Sequence, residues 1–401
     1  MSQDPRKVAA QVIEQVFKNK SFSKQALSHA LDTSKLSERD KGFCTELVYG
    51  TLRWLPVLEA SLLRAMDRPN PKLAPDLKAH LLIAAYQLQH LGESIPDYAA
   101  VSSAVNLIKR KRPGMAGFAN AILRRLGSAP HLTLGQTSDL NQISMATGLP
   151  VFLLEALPQE ELIEAALAMN SRPQTWHWNP AGSSEHPFVP TAVLNILPHV
   201  QDPASQVAGL LVNPKPGQYV IDACAAPGSK SRILKHAVGP SGRVLAIDQN
   251  AQRLKLVDSN IETRVGDFRV LELQPADAIL LDAPCSGFGT LRRHPEIKFW
   301  RTQENIRELV TLQAELLDAA ARNLKPGGIL VYSVCSPLPE EGPAQIAAFL
   351  RRHPEFELQD PSKTLPWLPE HTITNHEIHL WPHRDQADAF FAVRLYQRDT
   401  Q

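Results

Sequence analysis

The chain has 401 residues, 43% hydrophobic and 21% charged, with 42 Lys+Arg against 41 Asp+Glu for a net charge of +1. That is room for two or three domains with cores of their own. The N-terminal MSQDPRKVAAQVIEQVF has no secretory core and no run reaches the roughly 18 apolar residues of a membrane helix, so a soluble cytoplasmic protein, away from membranes, is expected.

Residues 4–126 read as helices. RKVAAQVIEQVF has apolar residues at helical spacing, and Ser37 opens a long periodic segment over 38–66. PDLKAHLLIAAYQLQHL (75–91) and PDYAAVSSAVNLIK (96–109) each carry Pro in the first turn, where its missing N–H costs nothing. GMAGFANAILRRL (114–126) closes an all-α domain over 1–130. The even overall charge hides an asymmetry. Residues 1–130 hold 19 Lys+Arg and 11 Asp+Glu, or +8, and the remainder holds 23 and 30, or −7. The basic side chains gather at Lys109, Arg110, Lys111, Arg112, Arg124 and Arg125. That pattern suits nucleic-acid phosphates, and it also suits a solvated helix face.

GSAPHLTLGQTSD (127–139) reads as a linker into a mixed helical stretch, 138–170. From about 216 apolar strands and helices alternate: strands in GQYVIDACA, GRVLAIDQ, IETRVGD, ADAILLDAP and GGILVYSVC, with helices between them. HEIHLWP and DAFFAVRLYQ follow as a pair at a sheet edge. The alternation predicts a Rossmann-like, doubly wound α/β domain over 206–401. Ligands of such sheets bind beyond the C-terminal strand ends. That edge would collect Asp222, Asp248, Asp267, Asp282, Cys285 and Cys335.

The turn DACAAPGSKS is neither a Walker loop nor GxGxxG, which disfavours a dinucleotide. Cys224, Ala225, Ala226, Pro227, Gly228, Ser229 and Lys230 would lie against a ligand, with Gly228 allowing close backbone approach. Asp248, ending the second strand, is suited to ribose hydroxyls, and Asp267 to an adenine amino group. Adenine and ribose without a phosphate loop suggest S-adenosylmethionine. Four cysteines (Cys44, Cys224, Cys285, Cys335) with no CxxC pair argue against structural zinc and against a disulfide framework, so no metal is expected.

DACAAPGSK, DAPCSG, LRRHPEIKFW and YSVCS, in that order, resemble the RNA 5-methylcytosine methyltransferases. LVYGTLR, AAYQLQHLGESIPDYAAVSSAV and GFANAILRRL are similar to the NusB-like domain fused to the bacterial 16S rRNA cytosine-C5 enzymes of the RsmB/Sun type; VQDPASQ and DAFFAVRL match flanking motifs. The resemblance covers nearly the whole chain, with two departures. Ser229 stands where the subfamily usually has Gly, and the small RNA-contacting region within 131–205 is short.

The resemblance implies methyl transfer from S-adenosylmethionine to cytosine C5 in RNA, most simply 16S rRNA. C5 is a weak nucleophile, and a thiolate added at C6 makes it an enamine carbon that can attack. A second group must then assist release. The residue types do not rank the two thiols. The resemblance makes Cys335 the nucleophile and Cys285 the release group, with Asp282 at N3 and also near the cofactor. Lys230 would polarise the base or lower a thiol pKa. The target cytosine would be unstacked, in a loop or single strand. Arg292, Arg293, His294, Lys298 and Arg301 would meet RNA phosphates, and the protein would act as a monomer. The competing readings are a non-catalytic RNA-binding or ribosome assembly factor, and a methyltransferase acting on protein or a small molecule.

Overall fold

The computed structural model describes residues 3–66, 72–128, 137–174, 176–178, 188–190 and 201–399. It divides into two compact units, Met1–Ser171 with Leu291–Trp300, and Arg172–Thr290 with Arg301–Gln401. Among the described residues no helix is long and apolar enough to cross a membrane.

The first unit is helical: α1 (Pro5–Asn19), α2 (Ser23–Asp32), α3 (Glu38–Arg53), α4 (Leu55–Ala65), α5 (Pro75–His90), α6 (Asp97–Lys111), α7 (Ala116–Gly127), α8 (Leu140–Thr147), α9 (Val151–Glu155) and α10 (Leu162–Met169). Ser37 starts α3 as the sequence implies, its hydroxyl accepting from the Asp40 amide at 3.2 Å. The single helix expected over 38–66 is two. The chain breaks at Trp54 because Pro56, in the first turn of α4, has no amide to extend α3 and its ring would clash with the preceding turn. Trp54 then stacks on His90, centroids 4.5 Å apart. The core joins Val12, Ile13 and Val16 of α1 to Leu47 and Leu52 of α3 and Leu81 and Leu82 of α5. The helical stretch expected after the 1–130 domain groups with it in one compact unit. α8 and α10 belong to this unit, and Asn170 Nδ2 donates to Thr147 O at 2.6 Å.

In the second unit β1 (Trp176–Trp178) pairs antiparallel with β2 (Phe188–Pro190). Then come α11 (Pro203–Val212), β3 (Tyr219–Asp222), α12 (Ser229–Val238), β4 (Arg243–Asp248), α13 (Ala251–Leu254), β5 (Glu262–Val265) and β6 (Ala276–Asp282). After α14 (Ile297–Trp300), which groups with the first unit, follow α15 (Gln303–Arg322), β7 (Leu324–Val334), α16 (Pro343–Arg352), β8 (Phe356–Gln359), β9 (Ile373–Thr374), β10 (Glu377–Leu380), α17 (Pro382–Asp385) and β11 (Phe390–Gln397). Among the described residues β3–β11 make one sheet in the order β5-β4-β3-β6-β7-β11-β10-β9, with β8 on β11. The strands β3 to β7 are parallel to one another, and β11 is antiparallel to β7.

The central residues of β3, β4, β6 and β7 are apolar because both faces are covered, whereas the edge strand β5 is exposed along its length. Successive residues of β6 alternate between two cores. Ala278 and Leu280 pack with Val207 and Leu211 of α11 and Leu234 of α12, whereas Ile279 and Leu281 pack with Leu317 of α15 and Phe349 of α16. The chain runs outward from β3 to β5 and returns to β6 on the other side of β3. The switch point, where ligands of such sheets bind, therefore lies at the β3/β6 ends.

Leu291–Trp300 is built into the helical unit. Glu296, fully buried, accepts from Ser23 N (2.9 Å) and Ser23 Oγ (2.8 Å) and so caps α2, whose own N-cap residue, Phe22, supplies no side-chain bond. Arg53 Nε donates to Arg292 O at 3.1 Å, and Lys298 Nζ donates to Arg53 O.

Gly50 of α3 lies under Tyr86 of α5, so closely that an added Cβ would sit 2.0 Å from the ring. In an open helix, Gly→Ala stabilises by roughly 1 kcal/mol. Here the clash should reverse the sign, and Gly50→Ala should destabilise by about 1–3 kcal/mol in chemical denaturation. Repeated in a Tyr86→Ala background, the same substitution should be neutral or stabilising. A loss of the same size in both backgrounds would refute the packing argument.

Candidate active site

The site is built on the C-terminal ends of β3, β4, β6 and β7. After Asp222 the chain turns through 223–228 into α12. Gly228 closes the turn with φ +97°, and a Cβ there would lie 2.9 Å from Val257 Cγ2 and 3.0 Å from Val257 Cα, so only glycine fits. The loop is held from below. Asp248 accepts from Ala226 N at 3.0 Å and from Asn250 N at 2.8 Å, and Arg253 donates to Ala226 O. Asp222 is buried under the turn, one oxygen accepting from Ser231 Oγ at 2.6 Å while the other has no partner. Burial pushes its carboxyl up to about 7, against the opposing pull of the Ser231 bond.

Above these strand ends is a cavity of about 330 Å3. Cys224, Ala226, Asp248 and Arg253 line it on the loop side, Phe268, Leu312 and Leu316 form an apolar side, and Asp282, Cys285 and Cys335 line it as well. Cys224 is an inert thiol, because burial and then Asp222 push it far up. Asp267 is engaged differently from the sequence expectation. Its carboxylate accepts from Arg269 N (3.0 Å), Nε (3.0 Å) and Nη2 (2.6 Å), and Arg269 also pairs with Glu315. The neighbours Gly266 and Phe268 line the cavity there.

Cys285 Sγ and Cys335 Sγ lie 3.3 Å apart, both as free thiols. Beside them Lys230 Nζ meets Asp282 Oδ2 at 2.6 Å, and Ser333 Oγ donates to Asp282 Oδ1 at 2.8 Å. Burial alone would discharge Lys230. The charge and hydrogen bond of Asp282 outweigh it and hold the ammonium above the ordinary lysine value, with Cys335 contributing in the same direction. Lys230 is therefore held as a cation in the resting site. Cys285 is pushed well above the ordinary thiol range, first by its bond to Cys335 and then by burial. The two sulfurs are therefore in direct contact beside a lysine–aspartate ion pair.

Several functional neighbours were not legible in the sequence. Ser333 became visible only through the register that sets it opposite Asp282. Glu341, in PLPEEGP, reads as an acid at a helix start, but it is buried against Ser286. Phe268, one residue past Asp267, was not singled out by the sequence. Among the described residues no group of three His, Cys, Asp or Glu side chains is arranged to hold a metal.

The basic residues divide into two groups. Lys109, Arg110, Lys111 and Arg112 end α6, and Arg124 and Arg125 end α7, all exposed. Asp76 pairs with Lys111 (3.1 Å) and Arg112 (2.9 Å), and those bonds hold its carboxyl well below the usual range. The second group requires correction. Arg292 is only 3% exposed and cannot face phosphates. Lys298 is drawn into the helical unit, where burial and then Arg53 bring its ammonium down to about 7. Arg301 Nε is spent on Ser286 O at 3.0 Å. Of the remaining two, Arg293 is partly exposed and His294 packs edge-on to Phe22 at 6.1 Å.

Residues 209–396 match the family described as 16S rRNA methyltransferase RsmB/F, and residues 3–128 match the NusB family. Proteins named ribosomal RNA small subunit methyltransferase B are similar over their full length. The one from Klebsiella pneumoniae is 35% identical and that from Yersinia pseudotuberculosis 32%, each alignment covering 98% of both chains. The Klebsiella alignment spans 441 positions, more than the 401 residues here, so that relative carries segments this chain lacks. The solved structure of PH0851 has the same fold, with TM-score 0.75 at 23% identity, covering 98% of this chain and 99% of that one. With its thiol pair at the switch point and a helical unit of its own, the chain belongs to the RsmB/F family of 16S rRNA methyltransferases and carries a NusB-family domain at its N-terminal end.

Proposed function

We propose that this methyltransferase, a cytoplasmic monomer, transfers a methyl group from S-adenosylmethionine to C5 of an unstacked cytosine in 16S rRNA, through a transient bond between Cys335 and C6. The observation that carries the reading is the pair of thiols, 3.3 Å apart, beside the Lys230–Asp282 ion pair. The relatives' names, which specify small-subunit ribosomal RNA, support the substrate.

The cavity residues fit the cofactor. About 330 Å3 suits a small molecule, Asp248 ends β4 where ribose hydroxyls are commonly received, and Phe268, Leu312 and Leu316 offer an apolar wall for a purine. Asp267 would have to share its Arg269 partner to reach an adenine amino group. When bound, S-adenosylmethionine supplies an electrophilic methyl group on a sulfonium.

The chain's own residues account for the remaining steps. The Cys335 thiolate forms the S–C6 bond, the C5=C6 pair moves through C4 to N3, and Lys230, oriented by Asp282, neutralises N3 with a proton. C5 takes the methyl group, and the N3 proton returns to Lys230. Water removes the C5 proton, C5=C6 re-forms, and the S–C6 pair goes back to Cys335. The protonated Cys285 donates to that departing sulfur, so it lowers the barrier to release. We assign the exposed ends of α6 and α7 to RNA phosphates, which would hold the substrate without reading its sequence.

Cys335→Ser should lose methyl transfer to background while calorimetry shows cofactor affinity unchanged; appreciable activity would overturn the nucleophile assignment. Cys285→Ala should stall at release and leave an RNase-sensitive, Cys335-dependent shifted band on a denaturing gel. Normal turnover without such a band would make Cys285 a packing residue. Replacing Lys109, Arg110, Lys111 and Arg112 with alanine should weaken RNA binding and flatten its logarithmic salt slope by roughly 0.7–0.9 per lost phosphate contact, leaving cofactor affinity alone. An unchanged slope across a salt series would identify the cluster as a solvated face.

A further inference from the structure

Glu341 lies between β7 and α16 and is 0% exposed. A buried carboxylate costs several kcal/mol unless its oxygens are fully hydrogen-bonded. Both are satisfied here, and almost entirely by the loop that carries Cys285. Oε1 accepts from Ser286 N at 2.7 Å and Gln313 Nε2 at 3.1 Å, and Oε2 accepts from Ser286 Oγ. Gln313 Nε2 also donates to Pro284 O at 2.9 Å, so both neighbours of Cys285 are tied to this one anchor. The other thiol is tied to it as well. Ser336 Oγ, next to Cys335, is 3.1 Å from Ser286 Oγ, and Tyr332 OH, on β7, donates to Glu341 O at 2.6 Å. No cation forms an ion pair with Glu341 among the described residues. A carboxylate kept dry and without a counter-ion is an expensive way to staple two loops that a neutral side chain would also join, and its proximity to Cys285 suggests why it is there.

We propose that Glu341 is a positioning residue that ties the Cys285 loop to the Cys335 loop and so holds the two sulfurs at the separation adduct release requires. The inference rests on the release role given to Cys285 above. Its negative charge also works in the direction already found for that thiol, opposing ionisation of Cys285 behind the hydrogen bond to Cys335 and burial. Glu341 is not among the residues lining the cavity. It acts through Cys285, and its loss should therefore impair release more than addition or methyl transfer.

The test compares Glu341→Ala, Glu341→Gln and Ser286→Ala with Cys285→Ala in the full-length protein, using 16S rRNA and S-adenosylmethionine. Glu341→Ala should lower steady-state turnover about 10–100-fold, the range seen when a supporting hydrogen-bond partner is removed. A single turnover should still methylate RNA, cofactor affinity should hold, and a Cys335-dependent covalent band should build up. Glu341→Gln keeps the shape and most hydrogen bonds and should recover part of the turnover with less trapped adduct. Ser286→Ala removes only one hydroxyl, and it serves if Glu341→Ala fails to fold; it should show a weaker version of the same trapping. A merely structural role would lower cofactor affinity and single-turnover methylation together, with no adduct, and that result overturns the proposal. If Cys285→Ala traps adduct and no Glu341 or Ser286 variant does, the positioning role is wrong and the release role stands. If none traps adduct, the release role fails and the positioning role fails with it.

Discussion

Much of this enzyme's chemistry depends on the parallel register of β6 and β7, which sets Asp282 opposite Ser333. In a parallel pair both strands end at the same edge of the sheet, so the loops carrying Cys285 and Cys335 emerge side by side although 50 residues separate them. A slip of one residue would exchange the two faces of the strand, bury Asp282 in an apolar layer and part the thiols. The register is well protected. Ile279 and Leu281 face one core and Ala278 and Leu280 the other, so each face has its own hydrophobic partners to lose.

The price of this geometry is a group of acids at one strand edge, Asp222, Asp248, Asp282 and Glu341, of which Asp222 and Glu341 are buried. Each has a different remedy. Asp222 leans on Ser231 and is pushed toward its neutral form, Asp248 is used by loop amides, Asp282 is neutralised by Lys230, and Glu341 is hydrogen-bonded to the cysteine loop. Lys230 is held as a cation by Asp282, the acid that also orients it, so a positive charge stands beside the thiols.

The helical unit borrows a decapeptide from the methyltransferase half of the chain. Glu296 caps α2, Arg292 and Lys298 bond to or through Arg53, and Phe299 and Trp300 pack against Phe17 and Phe22. Basic and aromatic residues in close succession have the composition of an RNA contact, yet here most of their polar atoms are spent inside the protein. Composition records which groups are present, and burial decides which of them a polyanion can reach.

The alternation of strands and helices from β3 to α16, the doubly wound sheet, the pairing of the two late strands β10 and β11 and the motifs around Asp222, Asp282, Cys285 and Cys335 could be read from the sequence, because apolar periodicity and turn residues are local signals, whereas α11, β8 and β9 were not anticipated. The break at Trp54 was local too, since Pro56 announces it, but the apolar period ran across it and hid it. The partner of each charge could not be read. Arg269 on Asp267, Asp76 under Lys111 and Arg112, Ser333 on Asp282 and Glu341 behind Cys285 are, apart from the first, pairings between residues distant in sequence. The contact between the two cysteine sulfurs belongs to the same class. Sequence by itself determined which reactive groups exist and which strand ends carry them, because those follow from pattern along the chain. Tertiary structure alone decided which of those groups keep their charge, which are used up as scaffold and which remain open to a substrate, because desolvation and hydrogen bonding depend on neighbours that only folding brings together.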